Sequence, residues 1–272
     1  MTRNQLLANI EAKQSLLCVG LDPDLKRMPQ GLKGDAEGVA TFCKLIIDAT
    51  ADHAVAYKPN FAFFEALGRH GWQALDEVAK HLSSMDVFTI ADAKRGDIGN
   101  TASQYAQGIL GEMGFDAITV APYMGKDSVT PFFMEGKWAI GLGLTSNDGA
   151  EYFQMQTMAD GRRLHELVLD KYDEWGSPNQ LMVVVGATRT EALAKVRARL
   201  PEHIFLVPGV GAQGGTVQDV MSAGAFKDQR GVGLLINASR SILYASSGLD
   251  FAAAAAKEAS SLHASMRQYW PA

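Results

Sequence analysis

Cysteine is nearly absent from this 272-residue chain, with Cys18 and Cys43 the two that occur. Cys18 lies in an apolar run and Cys43 in a helical pattern, which excludes a disulfide framework or a thiolate metal site and points to a reducing compartment. Long hydrophobic runs are missing too: none reaches 18 residues, and the opening stretch MTRNQLLANIEAKQSLL is interrupted by Glu11 and Lys13 and has no small-residue cleavage site. A membrane span and a secretory signal are therefore not expected, and a cytoplasmic location is. There is no excess of positive charge, since 25 Lys+Arg against 30 Asp+Glu gives 25 − 30 = −5. Nothing in that balance draws the chain to nucleic acid or anionic lipid, so an anionic ligand must be met by a local site. The six histidines, at 53, 70, 81, 165, 203 and 263, show no H-E-x-x-H spacing, and no G-x-S-x-G elbow occurs. Zinc and serine-hydrolase chemistry lose their usual signatures. His53 reads as a packing or capping residue, and the scattered Met and Trp residues as core filling.

What is present is core-forming material: 47% hydrophobic and 20% charged residues, the balance of a folded protein. Short apolar runs recur as strand candidates at 16–22, 53–58, 87–93, 118–121, 138–144, 181–186, 204–209 and 232–237. Helical patterns lie between them, among them AEGVATFCKLIIDATA, ALDEVAKHLSS, ASQYAQGILGEM, RRLHELVLDKYDEW, TEALAKVRARL, TVQDVMSAGA and DFAAAAAKEASSLHASMRQYW. Near-continuous apolar strands alternating throughout with helices predict a parallel sheet buried on both faces. Eight such units in this length fit a closed (β/α)8 TIM barrel, and no linker or composition shift divides residues 1–272 into more than one domain.

In that architecture the active site lies at the C-terminal strand ends. Those ends carry Asp22; Lys58 with Asn60; Asp92, Lys94 and Asp97; Thr145, Ser146 and Asn147; Pro208 to Gly215; and Asn237, Ser239 and Arg240. Within IADAKRGD a period of two puts Asp92 and Lys94 on one side of the strand, and Gly96 allows a turn that returns Asp97. The expectation is an alternating row of Lys58, Asp92, Lys94 and Asp97, with Lys94 between two carboxylates. A fixed ammonium in a water-poor cavity can stabilise a developing carbanion and then protonate it. The plainer alternative is a salt-bridge network sealing the barrel mouth.

GVGAQGG (209–215) and NASR (237–240) follow the last two strands, where such barrels place a phosphate on backbone N–H groups. Arg240 would add a planar charged fork, and Gln213 could reach the same group. Tight turns alone would also use these glycines. GVGAQG matches the dinucleotide pattern G-x-G-x-x-G as well, but the acid expected after the next strand is replaced by Asn237, and Asp228 precedes that strand.

DAKRGDIGNTA closely resembles the signature of the orotidine 5'-phosphate decarboxylase family, and VGLDPD, YKPN, LTSN, VPGVGAQGG and NASRS follow the same family in order. The resemblance implies a homodimeric barrel, free of metal and cofactor, that converts orotidine 5'-monophosphate to uridine 5'-monophosphate and carbon dioxide, the last step of de novo UMP synthesis. It implies that Lys94 protonates C6, that Asp92 lies beside the departing carboxylate, and that Lys58 holds the ribose hydroxyls and Asp92. Asp97 would enter from the partner subunit with Thr101 and Ile98. Asp22 would bind the ribose, Ser146 the pyrimidine amide, and Gln213, Arg240 and the Ser239 backbone the phosphate, with Asn60 and Pro208 also at the ligand. Asn60 and the long segment 147–162 depart from the compact branch of the family. A rival within the wider group, the 3-keto-gulonate 6-phosphate decarboxylases and hexulose phosphate synthases, shares D-x-K-x-x-D but resembles magnesium enzymes with an acid where this chain has Lys58, and a lysine there would repel the metal. A phosphate-binding barrel without catalysis is a third reading.

Overall fold

All eight apolar runs form strands: β1 Leu17–Leu21, β2 Ala54–Pro59, β3 Phe88–Arg95, β4 Ala117–Val120, β5 Trp138–Leu144, β6 Leu181–Val185, β7 Phe205–Pro208 and β8 Leu234–Ala238. The computed structural model describes residues 1–187, 190–210, 215–226 and 232–270. Neighbouring strands pair in parallel in sequence order, and β1 pairs with β8 as well as β2, so the sheet closes into the expected barrel. β1, β4, β6 and β8 are buried along their whole length, one face against the barrel interior and the other against helices, which is why they read as continuous apolar runs.

The outer layer contains α1 Arg3–Lys13, α2 Ala36–Thr50, α3 Phe61–Glu65, α4 Gly68–Ser83, α5 Gly99–Ala106, α6 Leu164–Trp175, α7 Thr190–Arg199, α8 Val217–Gly224, α9 Arg240–Leu243 and α10 Phe251–Gln268. Their amphipathic spacing turns one stripe inward. In α2, for example, Val39, Phe42, Cys43, Ile46 and Ile47 are all buried. Phe42 then meets Tyr244 and the Phe251 ring of α10, with centroids 6.0 and 5.5 Å away.

The expected alternation fails once. Between β4 and β5 the chain makes two short 3-10 turns, Lys126–Ser128 and Thr130–Phe132, and no α-helix. The segment APYMGKDSVTPFFMEGK explains this, because Pro122 and Pro131 remove donors and Gly125 and Gly136 take φ of 93° and 69°.

The sequence patterns pick out seven of the ten helices named above and miss α1 and the short α3 and α9. α1 lies across the N-terminal ends of the strands, opposite the expected site: Lys13 donates to the carbonyls of Ala51 and Ala54 at 2.8 Å each, and Arg3 to Pro178 and Glu202 at 2.6 and 2.7 Å. At the same end the buried Arg197 guanidinium donates to the carbonyls of Gly224, Leu200, His203 and Gly233 at 2.7–3.1 Å and stacks 3.7 Å from the Phe205 ring centroid. The floor of the barrel is thus closed by hydrogen bonds, leaving the other end for chemistry.

Candidate active site

β3 is irregular where it matters. Ala91 pairs with Ile118 of β4, but the next pairing is Arg95 with Val120, so β3 carries two more residues than its partner over this step. Within this bulge Lys94 has φ 45°, in the left-handed region that a side chain with a Cβ rarely enters. Strand alternation therefore does not account for Asp92 and Lys94 meeting; the bulge does. Nor is Gly96 the left-handed residue of the turn: its need for glycine is steric, since a Cβ there would come within 2.9 Å of the Ala121 carbonyl oxygen. Downstream, Arg95 clamps the strand end by an ion pair with Glu65 of α3 and by donating to the Ala93 carbonyl at 3.0 Å.

The bulge delivers a compact charge array. Asp92, buried, accepts from Lys58 Nζ on Oδ2 and from Lys94 Nζ on Oδ1, each at 2.5 Å. The Thr119 hydroxyl of β4 donates to the same Oδ1 at 3.1 Å. Burial pushes the Asp92 carboxyl up, but the two ammonium groups outweigh it and hold Asp92 well below the usual carboxylate range. Burial likewise pulls Lys58 down, and the charges of Asp92 and Asp22 more than reverse this, leaving its ammonium above the ordinary lysine value. Lys58 is nearly enclosed, while the Lys94 side chain keeps 53% of its surface open to the mouth.

The first three charges stand in the expected order, and the fourth does not join them within this chain. A carboxylate sits between two ammoniums, and Asp97 does not close the row. Its Oδ1 accepts from the neighbouring Ile98 amide at 2.7 Å, and it forms no ion pair with Lys94. Distance along the chain explains this, because Asp97 lies past the bulge where the backbone already leaves the mouth for α5. Ile98 and Thr101 are exposed there, Ile98 by 53%.

On the β1 side, Asp22 Oδ2 accepts from Ser239 Oγ at 2.6 Å, and its Oδ1 is buried with no hydrogen-bond partner among the described residues. A buried, unpaired carboxylate oxygen at the rim is a ready acceptor for a hydroxyl. Gly20 permits this approach, since a Cβ would stand 2.9 Å from Ser239 Cβ. Nearby, Cys18 is buried with its thiol pushed up to about 12, first by burial, which makes it inert. Asn60 has a local task, capping α3 by accepting from Ala62 N at 3.3 Å, and its backbone bridges to Asp92.

Around the rest of the rim, Pro208 ends β7 opposite Asn237 of β8. Ser239 precedes the short α9, whose first residue Arg240 is exposed. Gln213 lies outside the described residues. Ser146 follows β5, packed so closely on Gly186 that a Cβ there would sit 2.8 Å from its own Cβ. The segment behind it is tied by Gln154, which accepts from Thr145 N and donates to Thr145 Oγ1, both at 2.8 Å. Neither Gln154 nor Thr119 was singled out from the sequence. A Thr inside the apolar run AITV offered the one available signal, a hydroxyl where every neighbour is aliphatic.

Residues 15–257 match the family model described as Orotidine 5'-phosphate decarboxylase / HUMPS family. A curated orotidine 5'-phosphate decarboxylase of Bacteroides fragilis is 47% identical over 271 residues, covering 98% of each chain. That of Flavobacterium johnsoniae is 49% identical over 263 residues, covering 95% of this chain and 94% of its own. Among solved structures, the OMP decarboxylase of Leishmania donovani superposes with a TM-score of 0.82 at 39% identity, covering 98% of this chain and 99% of that one.

Proposed function

The chain belongs to the orotidine 5'-phosphate decarboxylase / HUMPS family, and from that premise we propose that it decarboxylates orotidine 5'-monophosphate to uridine 5'-monophosphate, with Lys94 as proton donor and no metal or cofactor. The observation that carries this reading is the Lys58–Asp92–Lys94 array, an ionised carboxylate fixed between two ammoniums at the barrel mouth.

In the proposed reaction the bond between C6 and the carboxylate carbon breaks, carbon dioxide leaves, and the electron pair stays on C6. No ring orbital delocalises that pair, so the nearby Lys94 ammonium stabilises it electrostatically and transfers its proton to C6, becoming a neutral amine that solvent reprotonates. Asp92 orients Lys94 and faces the departing carboxylate. Lys58 and Asp22, whose Oδ1 lacks a partner, hold the ribose hydroxyls. Ser146 meets the pyrimidine amide, with Asn60 and Pro208 alongside. Arg240, the Ser239 backbone and Gln213 take the phosphate, whose binding energy can be used to close the site. Asp97 is free of Lys94 within its own chain, which supports its completing the site of a second subunit, with Ile98 and Thr101 at the same dimer contact. The exposed Tyr105, Tyr123 and Met124 on flanking elements supply apolar surface for that contact.

The magnesium-dependent branch of the family is the reading to separate. Lys58 directs its charge at Asp92 Oδ2 and Lys94 at Oδ1, so both carboxylate oxygens already hold cations where a divalent ion would need them. The test is the absorbance change of orotidine 5'-monophosphate with purified protein in EDTA. Turnover unaffected by chelation is expected. Activity lost to EDTA and restored by magnesium would overturn the proposal.

A further inference from the structure

The geometry points to Thr119 as a positioning residue for Lys94, its single hydroxyl tying the left-handed backbone of the proton donor to the carboxylate that aims it. This rests on the proposed decarboxylation.

The bulge in β3 creates a specific difficulty. Ladder pairing between β3 and β4 stops at Ala91 and resumes at Arg95, where Ala121 N donates to the Arg95 carbonyl at 2.8 Å. Lys94, inside the gap, presents a partly buried N–H that the β4 backbone does not reach, in a backbone conformation that a residue with a Cβ rarely adopts. Thr119 Oγ1 accepts that N–H at 2.9 Å. The same oxygen donates its proton to Asp92 Oδ1 at 3.1 Å. Thr119 is 1% exposed, so water does not substitute readily for either bond.

A hydroxyl can accept and donate at once, and here both directions are determined. The Lys94 amide can act only as donor and the ionised Asp92 only as acceptor, so the Thr119 proton has one place to go. Lys94 is therefore held at both ends by one carboxylate oxygen: its Nζ binds Asp92 Oδ1 directly, and its N–H reaches the same atom through Thr119. Rotation of the peptide out of the left-handed region would break the backbone link and carry the ammonium away from C6.

The experiment compares Thr119→Val, which keeps the shape and removes the hydroxyl, with Thr119→Ser, which keeps the hydroxyl, reading steady-state kinetics and amide hydrogen exchange at Lys94. Val should lower kcat by about 10²-fold, the usual consequence of misplacing a reacting group by an ångström, with KM changed less than about threefold. Ser should stay within about threefold of wild type in both constants. The Lys94 amide should exchange about tenfold faster or more in Val than in wild type and Ser, one lost hydrogen bond being worth that factor. Thr119→Ala replaces Val if Val does not fold. Wild-type kcat in the folded Val protein, an equal fall in Val and Ser, or unchanged Lys94 exchange would each overturn the inference. Absence of decarboxylation by the wild type would instead remove the proposed function, while the exchange measurement would still decide whether Thr119 holds the Lys94 backbone.

Discussion

Single residues at the rim carry distinct consequences. Replacing Lys94 by Ala should abolish decarboxylation in a protein that still folds and binds the nucleotide product, because that side chain is the proposed proton source. Detectable folding with substantial residual turnover would show another donor. Arg240→Ala should raise KM strongly, and it should also lower kcat if phosphate binding helps to close the site; unchanged kinetics would detach Arg240 from the ligand. A different residue contributes to acid stability. His203 is buried at the barrel floor, and burial first, then the Arg197 charge, lower its pKa to about 4. The unfolded chain binds a proton below about 6.5, whereas the native one refuses it until about 4, so stability is lost as pH falls across that interval, by roughly 2–3 kcal/mol at pH 4.5. Urea unfolding at pH 7 and pH 4.5 should show a smaller acid-induced loss in His203→Gln than in wild type. The charged residues of the rim were legible in the sequence because they stand directly after apolar runs. Thr119 was not, because a hydroxyl inside such a run gains its meaning only from a neighbouring strand's bulge.

At the scale of elements, the strands were legible and their irregularity was not. Burial on both faces makes a strand apolar throughout, so β1 to β8 stand out, yet that same uniformity hides register, and nothing in FTIADAKR announces two extra residues. α1 escaped notice for a related reason: it buries only Leu6 and Ile10, too thin a stripe to read as a helix. The segment behind β5 offers a test at this scale. Gln154 joins its far side to Thr145, and the His165 ring contacts the Gln154 carbonyl at 2.8 Å. Gln154→Leu removes the two amide links, so limited proteolysis should cut within 147–161 several times faster than in wild type, with little change in melting temperature; equal cutting rates would show that the segment is held elsewhere.

For the whole molecule the decisive question is whether two chains share one site. If Asp97 serves the partner, then mixing Lys94→Ala with Asp97→Ala protein under subunit exchange yields dimers with one complete site and one that lacks both residues. Random exchange makes half the dimers mixed, so about a quarter of wild-type activity should return. Demonstrated exchange without recovery would confine Asp97 to its own chain. Closure of the sheet has one more consequence. Because β1 lies between β8 and β2, Asp22 stands between the rim residues proposed for the phosphate and the Lys58–Asp92–Lys94 array of β2 and β3. On the proposed reading the barrel mouth is a ruler, graduated in strands, on which the places of anion, sugar and reacting carbon follow in a fixed order. A ligand lengthened by a second phosphoryl group would overrun that scale and bring the wrong atom to Lys94.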